Sequence, residues 1–292
     1  MSKIGEILRL NIILPIAEKV KGLKALQWYH RILDMNTWPK EQIIEWQNMQ
    51  LRDFVRHAYE HTSYYRELFD KLGLIPNDIQ TIDDLKKLPV LTKDIIRARF
   101  NDFVPDNIDQ IPHRKDSTGG TTGEPMHYLT SEDTWGYITA AKMVAWKTTS
   151  YKYGDRFAAL GSASLFKKKA SLVRRIYDWI RQEIPLNSMS LSNELCQTYI
   201  NKMRREKINY IYGYASSIYL LAKYAHDNQV DVSFIKGVFT TSENLTPTYR
   251  AMIEKTFHCR VMDCYGCRDA GVACYEVKPN EYYVSYGSIL EI

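Results

Sequence analysis

The run INYIYGYASSIYLLAKYAHDN, Ile208 to Asn228, decides the fold. Its first seven residues are isoleucines and tyrosines with one asparagine and one glycine, a short run rich in strand formers. The next thirteen carry apolar residues at helical spacing, with Ser216 or Ser217 as the expected cap. The same unit then repeats. IKGVFTTSE, from Ile235, reads as a strand, and TPTYRAMIEKTF as a helix with Pro247 in its first turn. RVMDCYG, from Arg260, reads as a further strand. A β-α-β-α-β order predicts a parallel sheet covered by helices. Such sheets bind ligands at the carboxyl ends of their strands, so the loops after Tyr212, Phe239 and Cys264 are where chemistry is expected.

Working back from this run, SNELCQTYINKMRREK reads as a helix, RFAALGS as a strand and SEDTWGYITAAKMVAWKTT as a helix. Residues 1 to about 110 are mostly helical. EQIIEWQNMQLRDFVRHAYEH places Ile43, Ile44, Trp46, Leu51, Phe54, Val55 and Ala58 close to a helical repeat, and Gly73 with Pro76 closes that region. Thr81 with Asp84 suggests one helix start, Pro89 a break, and Thr92 a second cap. The expected architecture is α/β: a largely helical N-terminal region, 1–110, followed by a mostly parallel β-α-β sheet over 111–292.

The 292 residues are 45% hydrophobic and 25% charged, within the ordinary globular range. A net charge of +5 is too small to argue for a nucleic-acid partner. The 21 tyrosines favour packed, semi-polar pockets over disorder. An odd count of five cysteines, with no signal peptide read at the start, predicts reduced thiols and a cytoplasmic setting.

Two segments carry open alternatives. The apolar patch Leu8 to Ala17 is too short to span a bilayer; it reads as a buried or frayed helix, or as a peripheral membrane contact. FKKKASLVRRIYDWIRQ sets Lys167, Lys168, Lys169, Arg174, Arg175 and Arg181 around a stripe of Leu172, Val173, Ile176, Tyr177 and Ile180. Such a basic amphipathic helix fits a solvated surface, or a contact with membrane phosphate or an anionic carrier.

Three constellations could carry chemistry. DSTGGTTGEP, Asp116 to Pro125, combines Gly119, Gly120 and Gly123, which allow tight turns, with the hydroxyls of Thr118, Thr121 and Thr122. The set suits a phosphate cradle, though no P-loop Gly-Lys follows, and a surface loop is the other reading. TTSENL, Thr240 to Leu245, stands at a strand end. DCYGCRD, Asp263 to Asp269, offers the Tyr265 ring to a purine, backbone access at Gly266, and the Asp269 carboxylate to a divalent cation.

In this order, TGGTTGEP, GYASS, TTSEN and YGCRD resemble the successive core motifs of adenylate-forming enzymes. More narrowly, with LPVLTKDIIR at Leu88 to Arg97, they resemble the phenylacetate-CoA ligase family and its CapK-type branch. The resemblance implies ATP and Mg2+ as cofactors, a carboxylic acid as substrate, and CoA, an amine or a glycan as acceptor. It implies a phosphate loop at Thr118, Gly119, Gly120, Thr121, Thr122 and Gly123, with Glu124 standing where the family has lysine. It places Ser242 and Glu243 at the adenine pocket and Tyr265 against the adenine, with Asp263 and Gly266 in the same nucleotide set. It makes Asp269 the magnesium ligand and sets Gly213, Tyr214 and Ser216 at the border of the acid pocket. The alternative is a non-catalytic relative that binds a nucleotide or a glycan.

CysXXCys at Cys264 and Cys267 matches a zinc spacing, but the intervening Tyr-Gly belongs to the nucleotide motif, so buried or half-buried free thiols are expected. YGSILEI, from Tyr286, reads as a strand that leads into the rest of the family core. The family's catalytic lysine belongs to a C-terminal domain beyond that point, so the chain alone is expected to be incomplete for adenylation.

Overall fold

The computed structural model describes residues 8–118, 126–161, 179–180, 182–267 and 271–289. The chain forms two compact units. One comprises Lys21–Ile138 with Gly271. The other comprises the N-terminal stretch to Val20, Thr139–Cys267 and the stretch from Val272.

A π-helical turn, Arg9–Ile13, leads into α1, Leu14–Lys21. Its orientation departs from the buried-helix reading of the apolar patch. Arg9 and Glu18 are buried beside Leu14, while Leu8, Ile12, Ile16 and Val20 lie exposed at four-residue spacing. Hydrogen bonding explains the departure. The Arg9 guanidinium donates to the Ile180 carbonyl at 2.8 Å and to the Gly154 carbonyl at 2.9 Å, and the Tyr153 hydroxyl donates to Glu18 at 3.2 Å. Buried charges persist where such partners replace water.

The helical unit contains α2, Ala25–Met35, α3, Lys40–His61, α4, Ser63–Leu72, and α5, Lys93–Ala98. Gly73 ends α4 in the left-handed region at φ +66°, a geometry that favours glycine. The Thr92 hydroxyl caps α5 by accepting from the Ile95 amide at 3.3 Å. Val55, Phe69 and Ile79 form the core between these helices. Two antiparallel strands follow, β1, His113–Ser117, and β2, His127–Ser131, joined across the Gly-rich segment. They carry no apolar alternation, and the sequence gives no strand signal for them.

Helix α6, Glu132–Trp146, runs from the first unit into the second. The second unit then builds a seven-stranded sheet from β3, Phe157–Gly161, β4, Glu183–Asn187, β5, Tyr210–Tyr214, β6, Gly237–Thr241, β7, Val261–Cys267, β8, Val272–Lys278, and β9, Glu281–Val284. The spatial order is β4-β3-β5-β6-β7-β8-β9. Pairings from β4 through β7 are parallel, and β8 and β9 add antiparallel strands. The mostly parallel α/β sheet expected from the sequence is therefore present. Helices α7, Asn193–Arg205, α8, Ala215–Asp227, and α9, Pro247–Phe257, pack on one face through Ile200, Ile218, Leu221, Ile253 and Phe257. The other face carries an aromatic stack, with Trp146 lying over Phe239 at 4.0 Å between ring centroids.

Two local expectations need correction. YGSILEI forms no strand over its described part, Tyr286–Ile289; Ser285 and Ser288 close a turn, with the Ser288 amide donating to the Ser285 carbonyl at 2.8 Å. Cys267 is exposed, unlike Cys196, Cys264 and Cys274, which are buried, and Cys259, which is half-buried. The basic segment 167–181 lies outside the described residues except for Trp179 and Ile180. No helix among the described residues is long and apolar enough to cross a membrane.

Candidate functional site

Parallel register brings the three sequence motifs of the sheet unit to one edge. Tyr214 pairs with Thr241, and Thr241 pairs with Cys264. The segments that leave the carboxyl ends of β5, β6 and β7 therefore start side by side. Gly213 and Tyr214 end β5 and Ser216 follows it, Ser242 and Glu243 follow β6, and Tyr265 and Gly266 stand in the last three residues of β7.

Gly213 owes its identity to packing. A Cβ on it would lie 2.1 Å from the Leu160 carbonyl oxygen, so only glycine lets β5 approach β3 this closely. Tyr214 is the residue at which the chain turns from β5 into α8. The cap of α8 differs from the expected serine. The Glu243 carboxylate, reaching across from the loop after β6, accepts the Ser216 amide at 2.8 Å. A negative charge there satisfies an amide that has no intrahelical partner and complements the helix dipole. Ser242, directly before it, stands at φ +65°. Non-glycine residues adopt that conformation rarely and at an energetic cost.

Asp263 is a buried anchor. Its carboxylate accepts the Thr240 hydroxyl at 2.5 Å and the Tyr282 hydroxyl at 2.6 Å. Its amide donates to Glu276 at 3.2 Å, and Glu276 accepts Arg250 at 2.6 Å. Burial, and then the bond to Asp263, push the Tyr282 phenol well above its ordinary pKa. Burial opposes the charge on Arg250, but Glu276 outweighs it and holds the guanidinium pKa above its usual value. Every partner in this network carries charge or a complementary hydrogen bond, which makes it rigid. Two residues beyond Asp263 on the same strand, Tyr265 is 59% exposed, so its ring is open to a ligand. Gly266 is exposed beside it.

The buried Cys264 thiol on this strand and the half-buried Cys259 thiol just before it are held protonated. Burial pushes the Cys264 thiol up to about 12, with Asp263 adding to the shift and Lys142 and Trp146 opposing it. Burial does the same to Cys259, also to about 12. Among the described residues no three His, Cys, Asp or Glu side chains cluster as a metal site. Asp269, the expected magnesium ligand, lies outside the described residues.

Of the Gly-rich loop, the structure describes Thr118, in the helical unit; Gly119, Gly120, Thr121, Thr122 and Gly123 lie outside the described residues. The Thr118 amide donates to the Met126 carbonyl at 3.0 Å, and its hydroxyl oxygen accepts the Met126 amide at 3.1 Å. This clamp draws together the two ends of the intervening segment and leaves the Thr118 O–H hydrogen available to donate.

Sequence reading missed Thr240, Arg250, Glu276 and Tyr282. Thr240 was within reach, since it starts the TTSEN run. Arg250 and Glu276 gave no signal, because a charged residue reads as solvent-facing until its partner is known.

No family model matches the chain. Protein CapK of Staphylococcus aureus is 26% identical over 250 residues, covering 83% of this chain and 54% of CapK. Phenylacetate-coenzyme A ligase of Escherichia coli (strain K12) is 35% identical over 105 residues, 34% of this chain and 23% of that ligase. The corresponding ligase of Aromatoleum evansii is 33% identical over 103 residues, 33% of this chain and 22% of the ligase. The match thus spans about half of CapK and under a quarter of each ligase. Among solved structures, 2-hydroxyisobutyryl-CoA ligase in complex with 2-HIB-AMP and CoA superposes with a TM-score of 0.63 at 20% identity, over 81% of this chain and 52% of that one. At that identity the likeness shows a shared fold.

Proposed function

We propose, from the premise that this chain belongs to the phenylacetate-CoA ligase-like family of adenylate-forming enzymes, that it takes part in ATP-dependent activation of a carboxylic acid. The observation that carries the reading is the shared edge: β5, β6 and β7 deliver the GYASS, TTSEN and YGCRD motifs side by side.

Bound ATP supplies the α-phosphate that the acid's carboxylate oxygen attacks, and pyrophosphate leaves as the acyl-adenylate forms. The chain's residues then have distinct tasks. The open Tyr265 ring stacks on adenine, and Gly266 lets the backbone come close. Ser242 and Glu243 border the adenine from the neighbouring loop. Asp263 supports Tyr265 from within the sheet, below the nucleotide. Gly213, Tyr214 and Ser216 border the acid. By the resemblance alone, Thr118 with Gly119, Gly120, Thr121, Thr122 and Gly123 would donate to phosphates, and Asp269 would hold Mg2+. Positioning and charge compensation, with no nucleophilic side chain, suffice for this chemistry. The acceptor in a second step is CoA, as in the ligase relatives, or an amine or glycan, and the similarity to CapK favours a role in surface polysaccharide synthesis. The setting is cytoplasmic, with peripheral membrane contact through the N-terminal apolar stripe.

ATP–pyrophosphate exchange over an acid panel headed by phenylacetate tests the reading. In a protein that also carries the lysine-bearing C-terminal domain implied by the resemblance, exchange with at least one acid is expected. ATP binding without exchange for any acid favours a nucleotide-binding relative, for which Glu124 in the lysine position of the phosphate loop is the supporting observation. Absence of both binding and exchange contradicts the proposal.

A further inference from the structure

We infer that Glu243 is a positioning residue that couples the acid-binding and nucleotide-binding motifs, and that its carboxylate serves α8 more than it serves the adenine. The inference rests on the function proposed above and concerns the same edge of the sheet.

The geometry is specific. Glu243 belongs to the loop after β6, which also presents Ser242. Its carboxylate crosses to the neighbouring β5–α8 turn and accepts the Ser216 amide at 2.8 Å, a link between residues 27 apart in sequence. Ser216 lies in the first turn of α8, and Tyr214, the residue before the helix, makes no side-chain capping bond of its own. The first turn of α8 therefore takes a capping bond from a different loop. Register explains how that loop reaches it: Tyr214 and Thr241 are direct partners, so the two loops begin at the same level of the sheet.

A second observation points the same way. Ser242 is held at φ +65° immediately before the linking residue. A non-glycine residue keeps that backbone only where surrounding contacts outweigh its cost. The Glu243–Ser216 bond is such a contact. The conformation of the loop proposed to border adenine is thereby tied to the turn proposed to border the acid. Movement of one must pull on the other through a charge-assisted hydrogen bond. A neutral glutamine retains an acceptor oxygen and the reach of glutamate; alanine retains neither.

The test compares the full chain with Glu243→Gln and Glu243→Ala in two measurements. The first is hydrogen–deuterium exchange over residues 214–219, without ligand. Glu243→Ala is expected to raise exchange at the Ser216 amide at least about tenfold, with Glu243→Gln close to wild type; equal exchange in all three proteins overturns the link. The second is calorimetric titration with AMP and with phenylacetyl-sulfamoyl adenosine, a stable acyl-adenylate mimic. Wild type is expected to prefer the mimic. Glu243→Ala is expected to lose about tenfold in affinity for the mimic and less than about threefold for AMP, and Glu243→Gln is expected to restore most of the loss. Equal losses for both ligands would make Glu243 a direct nucleotide contact and overturn the coupling. So would a wild type that does not prefer the mimic. Wild type that binds neither ligand, with the exchange result as expected, refutes the proposed function and its coupling while leaving the structural link standing.

Discussion

At the residue scale, Cys264 shows how burial decides chemistry. Its thiol is pushed up to about 12, chiefly by burial, so it stays protonated and unreactive at neutral pH. The folded pKa lies above the unfolded one. The stabilisation it contributes is therefore fully present below an unfolded value of about 8.5 and is lost as pH rises toward 12. Denaturation midpoints measured between pH 8 and 11 should fall more steeply for wild type than for Cys264→Ala, and parallel curves would contradict the assignment. Cys267, on the same strand, is exposed; sequence alone treats it like the other thiols because alternation along a strand shows only that two neighbours differ, not which one faces water. Gly213 teaches a similar lesson. The sequence marks it as a ligand-bordering glycine, whereas its contact with the Leu160 carbonyl gives it a reason that holds with no ligand at all.

At the scale of elements, strands and helices were legible wherever apolar residues kept a period. β3, β5, β6 and β7 and helices α7, α8 and α9 follow from such runs, because burial on both faces of a parallel strand demands a continuous apolar stretch. β1, β2, β4, β8 and β9 were not read as strands. The first two are polar, and β4 carries Pro185 at the edge of the sheet, where a missing amide is tolerated. The N-terminal helix is the clearest departure. Leu8, Ile12, Ile16 and Val20 point outward, because the Arg9 guanidinium and the Glu18 carboxylate have partners inside. Arg9→Ala removes the donor to two backbone carbonyls and should cost about 2–4 kcal/mol. Ile16→Ser, on the exposed stripe, should change stability by less than about 0.5 kcal/mol. Urea denaturation of both variants checks the pair, and a larger loss for Ile16→Ser would contradict this orientation.

At the scale of the whole molecule, a sheet register unites motifs that stand 23 to 52 residues apart in the chain, from Gly213 through Ser242 to Tyr265. The order of motifs was legible because each follows a strand; their adjacency needed the strand order β5-β6-β7, which the β-α-β pattern predicts when each crossover places the next strand beside the last. The supporting network around Asp263 was not legible, since it joins β6, β7, β8, β9 and α9 through single side chains. The network holds β7 rigid beneath Tyr265, a large aromatic ring that the edge leaves open. That ring is the most direct point at which to test the account. Calorimetric titration of AMP into wild type and into Tyr265→Ala measures it. The account predicts one bound nucleotide per chain and an affinity about tenfold lower in the variant, the loss of one stacking contact. Equal affinity in the two proteins, or no binding to wild type, would contradict it.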